Sequence, residues 1–343
     1  MRAEAAIWSG TEFFVREVPL PDLQHGEVLV DVELSTVCGS DLHTVSGRRS
    51  TPVPTVLGHE SVGRVVAAGP SASVAVGDRV VWTIGTSCGR CERCDRGLSA
   101  KCLHVRKYGH TAITDEWTLS GGFATHIHLV AGTGIVVVPE DLPAALLAPA
   151  GCATATVVGA ARRIGLKEGD AVTVLGCGML GLTAVAYALD HGAASVVACD
   201  PDPSRRALAA TIGATTVCAP GEVPGGADAI FELSGNSASV TSAFQLVGMG
   251  GRIALAGSVF PGPPVQFDPE HVVRNLITVT GSHNYALEDL VEAVDFLSRT
   301  TSSEQLVALV GQPHPLADIA SILSSSSAAV RAAVVSAKRS FGR

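Results

Sequence analysis

Four cysteines lie within one short segment of the chain. Cys88, Cys91, Cys94 and Cys102 follow the spacing C-x2-C-x2-C-x7-C among glycines and charged residues. Four thiolates this close together can fill a tetrahedral shell around one Zn²⁺ and leave no position for water. An iron–sulfur cluster also takes four thiolates, but nothing else in the sequence indicates the redox partner that it would need. The spacing therefore predicts a structural zinc site.

A second set of potential metal ligands is scattered along the chain. Cys38 follows an apolar run at an expected turn, His59 and Glu60 follow a glycine, and Cys152 stands at the start of an expected helix. Alone, each would be read as an ordinary polar or small core residue. Together, two thiolates and one imidazole leave the fourth tetrahedral position open, which is typical of a catalytic zinc.

A glycine-rich turn supplies a third chemical signal. Gly176, Gly178 and Gly181 form G-x-G-x-x-G between an apolar run at 171–175 and an expected helix. The first glycine allows a sharp turn, the second lets a pyrophosphate approach the backbone, and the third lets the helix pack close to the sheet. Free amide groups at the start of the helix, including those of Met179 and Leu180, favour phosphate. The pattern predicts a dinucleotide site.

Asp200 indicates which dinucleotide is preferred. It ends the second strand of this unit, at 195–199. A carboxylate there can accept hydrogen bonds from both hydroxyls of an adenosine ribose and would repel a 2′-phosphate, so we expect NAD rather than NADP. Residues 171–189 are uncharged and long enough to span a bilayer, but three central glycines and a β-type start argue against a spanning helix.

Taken together, these residues resemble the zinc-dependent medium-chain alcohol dehydrogenase family. The matching motifs, in order, are the run Gly58-His59-Glu60-x-x-Gly63, the four-cysteine segment, the glycine-rich turn and Asp200. The resemblance covers essentially the whole chain. It implies an α/β fold, in which a GroES-like β-rich catalytic domain accompanies a Rossmann doubly wound parallel sheet, with the active site in the cleft between them.

The resemblance also implies roles for individual residues. Cys38, His59 and Cys152 would hold the catalytic zinc, and Glu60 would be an alternative or transient ligand. The proton relay would be formed by Ser40 and His43, with Asp41 orienting His59. Zinc would lower the pKa of a bound alcohol, which then releases hydride to the nicotinamide. The cofactor-binding residues would be Gly176, Gly178, Met179, Leu180, Gly181, Asp200 and Arg205. Turn capping by Ser40 and His43, and a solvated helix charge at Arg205, remain alternatives.

Segments 149–156, 256–262 and 281–285 resemble a subgroup of alcohol dehydrogenases associated with phosphonate metabolism. This likeness implies a substrate such as 2-hydroxyethylphosphonate or phosphonoacetaldehyde. An anionic head group requires donors, preferably cationic ones. The substrate-binding candidates are Lys107, His110, His283 and Asn284, together with Arg48, Arg49 and Arg106. Solvated surface charges are the alternative for each of them. The alternatives for the whole chain are a general primary-alcohol or polyol dehydrogenase and a non-catalytic zinc protein that binds NAD.

The bulk composition narrows the class of protein. The chain has 343 residues, 47% hydrophobic and 16% charged, which fits a globular enzyme of two domains. A net charge of −8 argues against a nucleic-acid or anionic-membrane partner. Nine cysteines without an apparent secretory signal favour metal-binding thiolates in a reducing compartment. We therefore expect a cytoplasmic protein with a small-molecule substrate.

The elements that must position these residues change character along the chain. Residues 1–146 contain short apolar runs separated by Gly, Pro and Asp, as expected for a β-rich domain. Residues 147–284 alternate strands and helices, which predicts the parallel sheet. Residues 285–343, with an expected helix at 287–297, a turn at 311–315 and a strand at 330–335, should complete the first domain. A serine run at 324–327 is expected to be a loop. An edge strand at 277–280 would support a homodimer or homotetramer.

Overall fold

The computed structural model describes residues 2–324 and 329–335. These residues form two compact units. The first contains residues 2–152, 286–294 and the described residues from 309 onward, and the second contains residues 153–285 and 295–308. The segment 295–308, which we predicted with the first domain, belongs to the second unit, and residues 147–152 belong to the first. The boundaries at 146/147 and 284/285 between a catalytic domain and an NAD-binding domain stay predictions.

The helices and strands follow the chain in three stretches. Up to Cys152 they are β1 (Arg2–Trp8), β2 (Phe13–Pro19), β3 (Val28–Thr36), α1 (Gly39–Val45), β4 (Thr55–Val56), β5 (Glu60–Ala68), β6 (Arg79–Thr86), α2 (Glu92–Asp95), β7 (His126–Leu129), β8 (Thr133–Val137) and α3 (Ala144–Leu147). They continue with α4 (Ala153–Ile164), β9 (Ala171–Leu175), α5 (Met179–Asp190), β10 (Ser195–Cys199), α6 (Pro203–Ile212), β11 (Thr216–Cys218), β12 (Ala227–Glu232), α7 (Ser237–Leu246), β13 (Val247–Leu255), α8 (Pro269–Arg274) and β14 (Thr278–Gly281). The last are α9 (Leu287–Arg299), α10 (Ser303–Val307), β15 (Val310–Pro315), α11 (Ile319–Ser324) and β16 (Arg331–Val335).

The first unit is built on a seven-stranded sheet. Its strands follow the order β15-β16-β3-β5-β6-β8, and β7 pairs with β3. Within it, Thr36 of β3 lies opposite Glu60 of β5 and also opposite Ala333 of β16. This register places β3 between β16 and the end of β5 that follows His59. The core beneath includes Val37 and Leu57, which flank the predicted zinc ligands.

The second unit contains a six-stranded sheet in the order β11-β10-β9-β12-β13-β14, in which all pairs are parallel. The chain starts at the central β9, moves to one edge, returns, and then builds the other half, which is the strand order of a Rossmann fold. Residues such as Val174, Ile230 and Ile253 are fully buried in it, as expected for a sheet with hydrophobic strands. The predicted fold class is therefore confirmed.

Several local expectations were wrong in informative ways. The expected turn at 311–315 is the strand β15, because β16 provides a parallel partner and Pro313 and Pro315 sit on the edge of the sheet, where a missing N–H is tolerated. The expected turn at Cys38 is the N-terminus of helix α1. Strand β13 begins at Val247, where a helix end was expected, because this residue pairs with Ala227 before a register shift.

Residues 171–189, whose length would suit a membrane span, form the strand β9, the glycine-rich turn and most of α5. No single helix of the described residues is long and apolar enough to cross a membrane; one bent pair, Ala144–Gly151 with Ala153–Ile164, passes by length and composition. Of the serine run, Ser324 ends α11, and residues 325–327 lie outside the described part of the chain.

Candidate metal centres and cofactor site

The four-cysteine segment closes around one point. The ligand atoms of Cys88, Cys91, Cys94 and Cys102 lie within 4.8 Å of one another. The Sγ atom of Cys91 is 3.5 Å from that of Cys94 and 3.9 Å from that of Cys102. Sulfur ligands 2.3 Å from a tetrahedral zinc ion are roughly 3.8 Å apart, so this set fits the ion. It supplies four sulfurs, which is the chemistry of a closed structural site.

Backbone amides prepare these sulfurs for a cation. The amides of Cys88 and His104 both donate to Cys102 Sγ at 3.3 Å. Hydrogen bonds from the backbone at Leu103 and Cys94 lower the pKa of the Cys91 thiol to about 6. The short helix α2 begins after Cys91 and presents Cys94 one turn later. Backbone hydrogen bonds therefore favour the thiolate at Cys91, whereas burial and the hydrogen bond with Cys91 raise the pKa of the Cys94 thiol to about 11.

The second predicted set is also brought together. The ligand atoms of Cys38, His59, Glu60 and Cys152 lie within 4.8 Å of one another, and the Cys38 and Cys152 sulfurs are 3.9 Å apart. Cys38 caps α1, His59 precedes β5, and Cys152 directly precedes α4. Two sulfurs, an imidazole and a nearby carboxylate form the donor set of a catalytic zinc with a position left for another ligand.

Asp41 lies beside His59 within this set. Its Oδ1 atom is 3.6 Å from His59 Nδ1, and both side chains are almost fully buried. Its Oδ2 atom accepts from the amide of Cys38 at 2.9 Å, which also fixes the start of α1. An acidic neighbour at Nδ1 favours the tautomer that leaves Nε2 free to bind a metal. The predicted role of Asp41 thus has a geometric basis.

Charge is distributed unequally among the ligands. A hydrogen bond with Cys152 and the charge of Arg331 lower the pKa of Cys38 well below that of an ordinary thiol, against the effect of burial. The same hydrogen bond, together with burial, raises the pKa of Cys152. Burial lowers the pKa of His59, but Asp41 and Cys38 outweigh it and raise it. Of the two thiols in this set, Cys38 therefore loses its proton more readily.

Arg331 is a functional neighbour that the sequence reasoning missed. Its Nε atom donates to Glu60 Oε2 at 3.0 Å and its Nη2 atom donates to Glu60 Oε1 at 3.3 Å. The same Nη2 atom lies 3.8 Å from Cys38 Sγ. Thr36 Oγ1 also donates to Glu60 Oε2, at 2.7 Å. Burial raises the pKa of Glu60 to about 6 in spite of Arg331. No local motif marks Arg331, so nothing in the sequence alone would have found it.

Ser40 and His43 lie on α1, the helix that begins directly after Cys38. Ser40 Oγ is 3.4 Å from His59 Nε2. Because His43 follows three residues later, the two side chains share one face of α1. Burial, together with the charges of Arg48 and Arg49, lowers the pKa of the half-buried His43, so its imidazole is neutral and able to accept a proton at neutral pH.

The glycine-rich turn of the second unit has the shape that a dinucleotide needs. Gly176 has a φ of +95°, and a Cβ there would lie 2.8 Å from the amide nitrogen of Ser234. A Cβ at Gly181 would lie 1.8 Å from the carbonyl oxygen of Gly176, whereas one at Gly178 would meet nothing within 4 Å. Helix α5 starts at Met179, so its first amides, with that of Leu180, lack helical partners. The turn fits a pyrophosphate over Gly178.

The acidic residue after β10 contacts the turn itself. Asp200 Oδ2 accepts from the amide of Cys177 at 2.7 Å, and Oδ1 accepts from that of Asp202 at 2.9 Å. The carboxylate therefore stabilises the turn. Arg205 Nη1 is buried without a hydrogen-bond partner among the described residues. Arg206, which sequence reasoning missed, donates to the carbonyl oxygens of Asp200 and Pro201.

The substrate-binding candidates separate into two groups. In the first unit, Lys107 and His110 are half-buried, and Arg49 Nη1 donates to His110 Nδ1 at 2.9 Å. Arg48 is exposed, and the exposed Arg106 lies over the ring of Trp117 at 5.3 Å. In the second unit, His283 is exposed and Asn284 has a φ of +59°. The structure thus brings Lys107, His110 and Arg49 together and leaves Arg48 and Arg106 as surface charges.

Comparison with known proteins agrees with this geometry. Residues 24–140 match the alcohol dehydrogenase GroES-like domain family, and residues 180–299 match the zinc-binding dehydrogenase family. The chain is 31% identical to a sorbitol dehydrogenase from Bacillus subtilis, covering 86% of each chain. An alcohol dehydrogenase from Thermotoga maritima superposes with a TM-score of 0.90 at 28% identity, covering 98% of this chain and all of that one. A zinc-binding dehydrogenase from Sinorhizobium meliloti bound to NADP has a TM-score of 0.86 at 26% identity, covering 98% of this chain and 99% of that one.

The fold, the two cysteine-containing metal sites and these similarities identify one class. The chain belongs to the zinc-dependent medium-chain alcohol dehydrogenase family, and it is an enzyme of that family. Its cofactors are zinc and a nicotinamide dinucleotide, for which the Cys38, His59 and Cys152 set, the four-cysteine set and the glycine-rich turn provide fitting sites.

Proposed function

We propose that this enzyme transfers hydride between NAD(H) and a small alcohol or aldehyde, with a short phosphonate as the substrate. The observation that carries the reaction is the convergence of Cys38, His59 and Cys152 beside Ser40 and Glu60. When bound there, zinc would act as a Lewis acid on the substrate oxygen. The four cysteines from Cys88 to Cys102 would hold the structural zinc.

The chain's own residues account for the proton. The Ser40 hydroxyl, next to His59 Nε2, receives the proton of the alcohol, and His43 on the same face of α1 passes it to solvent. The lowered pKa of His43 keeps its imidazole available as a base. Glu60 is held by Arg331 and Thr36 at the edge of the metal site, where it is an alternative ligand.

The preference for NAD rests on Asp200. Its carboxylate would place a negative charge beside the adenosine ribose and oppose a 2′-phosphate. The Sinorhizobium relative is bound to NADP, so the preference must come from this site and not from the family. Gly176, Gly178 and Gly181 with the amides of Met179 and Leu180 would hold the pyrophosphate. Arg205 is half-buried, its Nη1 atom has no hydrogen-bond partner among the described residues, and it would contact the ribose.

The phosphonate substrate is supported by the likeness of segments 149–156, 256–262 and 281–285 to the phosphonate-associated subgroup and by the basic residues Lys107 and His110, with His283 and Asn284 as further candidates. The test is a steady-state assay with NAD(H). We expect 2-hydroxyethylphosphonate and phosphonoacetaldehyde to turn over faster than ethanol, benzyl alcohol or sorbitol. Equal or slower turnover of the phosphonate pair would reject the substrate and leave the enzyme class intact.

Of the two alternative functions, one has specific support. A general primary-alcohol or polyol dehydrogenase is favoured by the similarity to a sorbitol dehydrogenase, and it predicts sorbitol as the better substrate in the same assay. A non-catalytic protein that binds zinc and NAD would show no turnover with any alcohol; the relay pair Ser40 and His43 argues against it.

The enzyme is also proposed to be cytoplasmic and to form a homo-oligomer. Its nine cysteines are free in the structure, which suits the reducing cytoplasm. The edge strand β14, with the partly exposed Val279, would pair with a second copy in a homodimer or homotetramer.

A further inference from the structure

A loop that follows α1 brings an arginine toward the catalytic metal ligands. Gly47, with a φ of +75°, follows Ser46, the C-cap of α1, and the amide of Arg49 donates to the carbonyl oxygen of His43 at 3.0 Å. The loop is thereby folded back onto the helix that carries Ser40. The guanidinium of Arg49 is half-buried, and its Nη1 atom donates to His110 Nδ1 at 2.9 Å. The guanidinium of Arg49 therefore contacts the His110 ring, which lies against the ring of His59.

His110 is fixed against His59 by its own loop. The two rings are tilted by 42° with centroids 4.7 Å apart. Gly109 has a φ of +72°, and a Cβ at this position would lie 2.7 Å from the carbonyl oxygen of Gly58, so only glycine permits the approach. Thr111 Oγ1 accepts from the amide of Lys107 and donates to its carbonyl oxygen, closing the loop.

Lys107 adds a second positive charge to the loop that carries His110. It is half-buried, and burial lowers its pKa, with further lowering by Lys101 and Arg49. Burial also lowers the pKa of Arg49. Arg49 is among the charges that lower the pKa of Lys107, so the two cations repel each other. Partly desolvated like charges are unfavourable unless an anion lies between or beside them.

The acidic groups of the described chain that act on these cations already have other partners. Neither Arg49 nor Lys107 forms an ion pair with a described carboxylate, and the Nε and Nη2 atoms of Arg49 have no described acceptor. Asp41 and Cys38 are the acidic groups that act on Arg49. The oxygens of Asp41 accept from the amides of Cys38 and Gly58 and lie beside His59, and Cys38 belongs to the second ligand set. The cations therefore keep donors that a ligand can use.

We propose that Arg49 and Lys107, with His110 bracing Arg49, form an anion-binding subsite that selects alcohols and aldehydes carrying a carboxylate or phosphonate group. The subsite rests on the proposed function in one respect: the reacting oxygen must bind at the Cys38, His59 and Cys152 set. An arginine presents a planar fork of donors that matches two oxygens of such a group, and the lysine adds a point charge. A neutral alcohol leaves both cations without a partner.

The test compares anionic and neutral substrates in matched variants. For each protein, kcat/KM is measured with NAD for 2-hydroxyethylphosphonate, 3-hydroxypropanoate and 1-butanol. We expect Arg49→Met and Lys107→Met each to lower the ratio of an anionic substrate to 1-butanol by about 10- to 100-fold, the value of a charged hydrogen bond. Arg49→Lys should fall between wild type and Arg49→Met. Arg16→Met, which removes an exposed arginine from β2, is the control and should leave the ratio unchanged.

The two anions distinguish the head group. A larger loss for the phosphonate indicates a dianion site, and equal losses indicate a general anion site; both support the subsite. Ratios that do not move in Arg49→Met and Lys107→Met overturn it, while oxidation of 1-butanol would still support the proposed enzyme.

A binding measurement keeps the proposal testable if no alcohol is oxidised. Calorimetric titration of the zinc-loaded full chain with methylphosphonate and with acetate should show binding that weakens at least tenfold in Arg49→Met and Lys107→Met but not in Arg16→Met. Absence of binding to wild type, or equal binding by all variants, overturns the subsite. Binding with loss in the two variants supports it even when the proposed reaction fails.

Discussion

Arg331 and Glu60 form a buried ion pair across 271 residues of sequence, with Nε donating to Oε2 at 3.0 Å. The pair lies beside the zinc ligands, since the same guanidinium is 3.8 Å from Cys38 Sγ. It joins the C-terminal strand of the chain to the metal site. A positive charge in this position both satisfies Glu60 and favours the Cys38 thiolate.

Replacing Arg331 should therefore damage stability and metal binding together. In Arg331→Met the carboxylate of Glu60 stays buried without its cationic partner, although it keeps the hydrogen bond from Thr36. Breaking a buried pair costs about 3–5 kcal/mol. We expect a lower melting temperature and less than two zinc ions per chain by elemental analysis. In the double variant Glu60→Gln with Arg331→Met no charge is left unpaired, so its melting temperature should be higher than that of Arg331→Met. Equal destabilisation in both proteins would contradict this account.

Two glycines of the cofactor turn should respond in opposite ways to the same change. In Gly181→Ala the new Cβ would lie 1.8 Å from the carbonyl oxygen of Gly176, so α5 must shift and the unit should be destabilised. In Gly178→Ala the Cβ meets no protein atom within 4 Å, so stability should be retained while a pyrophosphate is obstructed. Melting temperature and the Kd for NAD separate the two effects. Tight NAD binding by Gly178→Ala would show that the pyrophosphate lies elsewhere.

Asp200 should control the choice of dinucleotide. In the wild-type protein Asp200 accepts a hydrogen bond from the amide of Cys177 at 2.7 Å. Asp200→Asn removes the negative charge but keeps an oxygen that can accept this hydrogen bond. We expect the ratio of kcat/KM for NAD to that for NADP to fall about tenfold or more, equivalent to at least about 1.4 kcal/mol. The control is Asp202→Asn, which removes the same charge two residues away and keeps the oxygen that caps α6. A similar fall in both variants would point to a general charge effect.

Loss of one cysteine ligand should have different consequences at the two zinc sites. Cys152→Ser removes a ligand from the open set, so activity should be lost while one zinc ion and the melting temperature are largely retained. Cys94→Ser opens the closed set, so the four-cysteine segment should lose its zinc and the protein should melt at a lower temperature. Metal content, activity and melting temperature are measured on the same preparations. The assignment is wrong if Cys94→Ser retains both zinc ions or if Cys152→Ser retains activity.

His128 should make stability depend on pH outside the metal sites. Its Nε2 atom lies 3.0 Å from Glu27 Oε2, and burial lowers its pKa although Glu27 acts in the opposite direction. An unfolded histidine binds a proton near pH 6.5, whereas the folded one does so only at lower pH. Between these pKa values the unfolded state holds more protons, so stability falls as the pH falls below about 6.5. At saturating zinc, His128→Gln should flatten this part of the curve of melting temperature against pH; an unchanged slope would exclude His128 as its source.

Much of the fold and of the chemistry could be predicted because the residues concerned lie close together in the sequence. The four cysteines span 15 positions of one loop, and G-x-G-x-x-G lies within one strand–turn–helix unit, so spacing alone nearly fixes their geometry. The alternation of strands and helices in the second unit likewise specifies a parallel sheet, because such connections have few alternatives. The strand at 310–315 was missed because its pattern is polar and proline-rich, and only pairing with β16 makes it a strand.

The catalytic set is different, because its members come from distant parts of the chain. The sequence by itself determined which residue types were available: Cys38, His59, Glu60 and Cys152. The tertiary structure decided that they meet, because the register of β3 with β5 and with β16 sets Thr36 opposite both Glu60 and Ala333. Only that pairing brings Arg331 to Glu60, and only the packing of Gly109 on Gly58 brings His110 to His59. Side-chain charge and distance along the chain carry no record of such contacts, since they depend on hydrogen bonds between strands far apart in sequence.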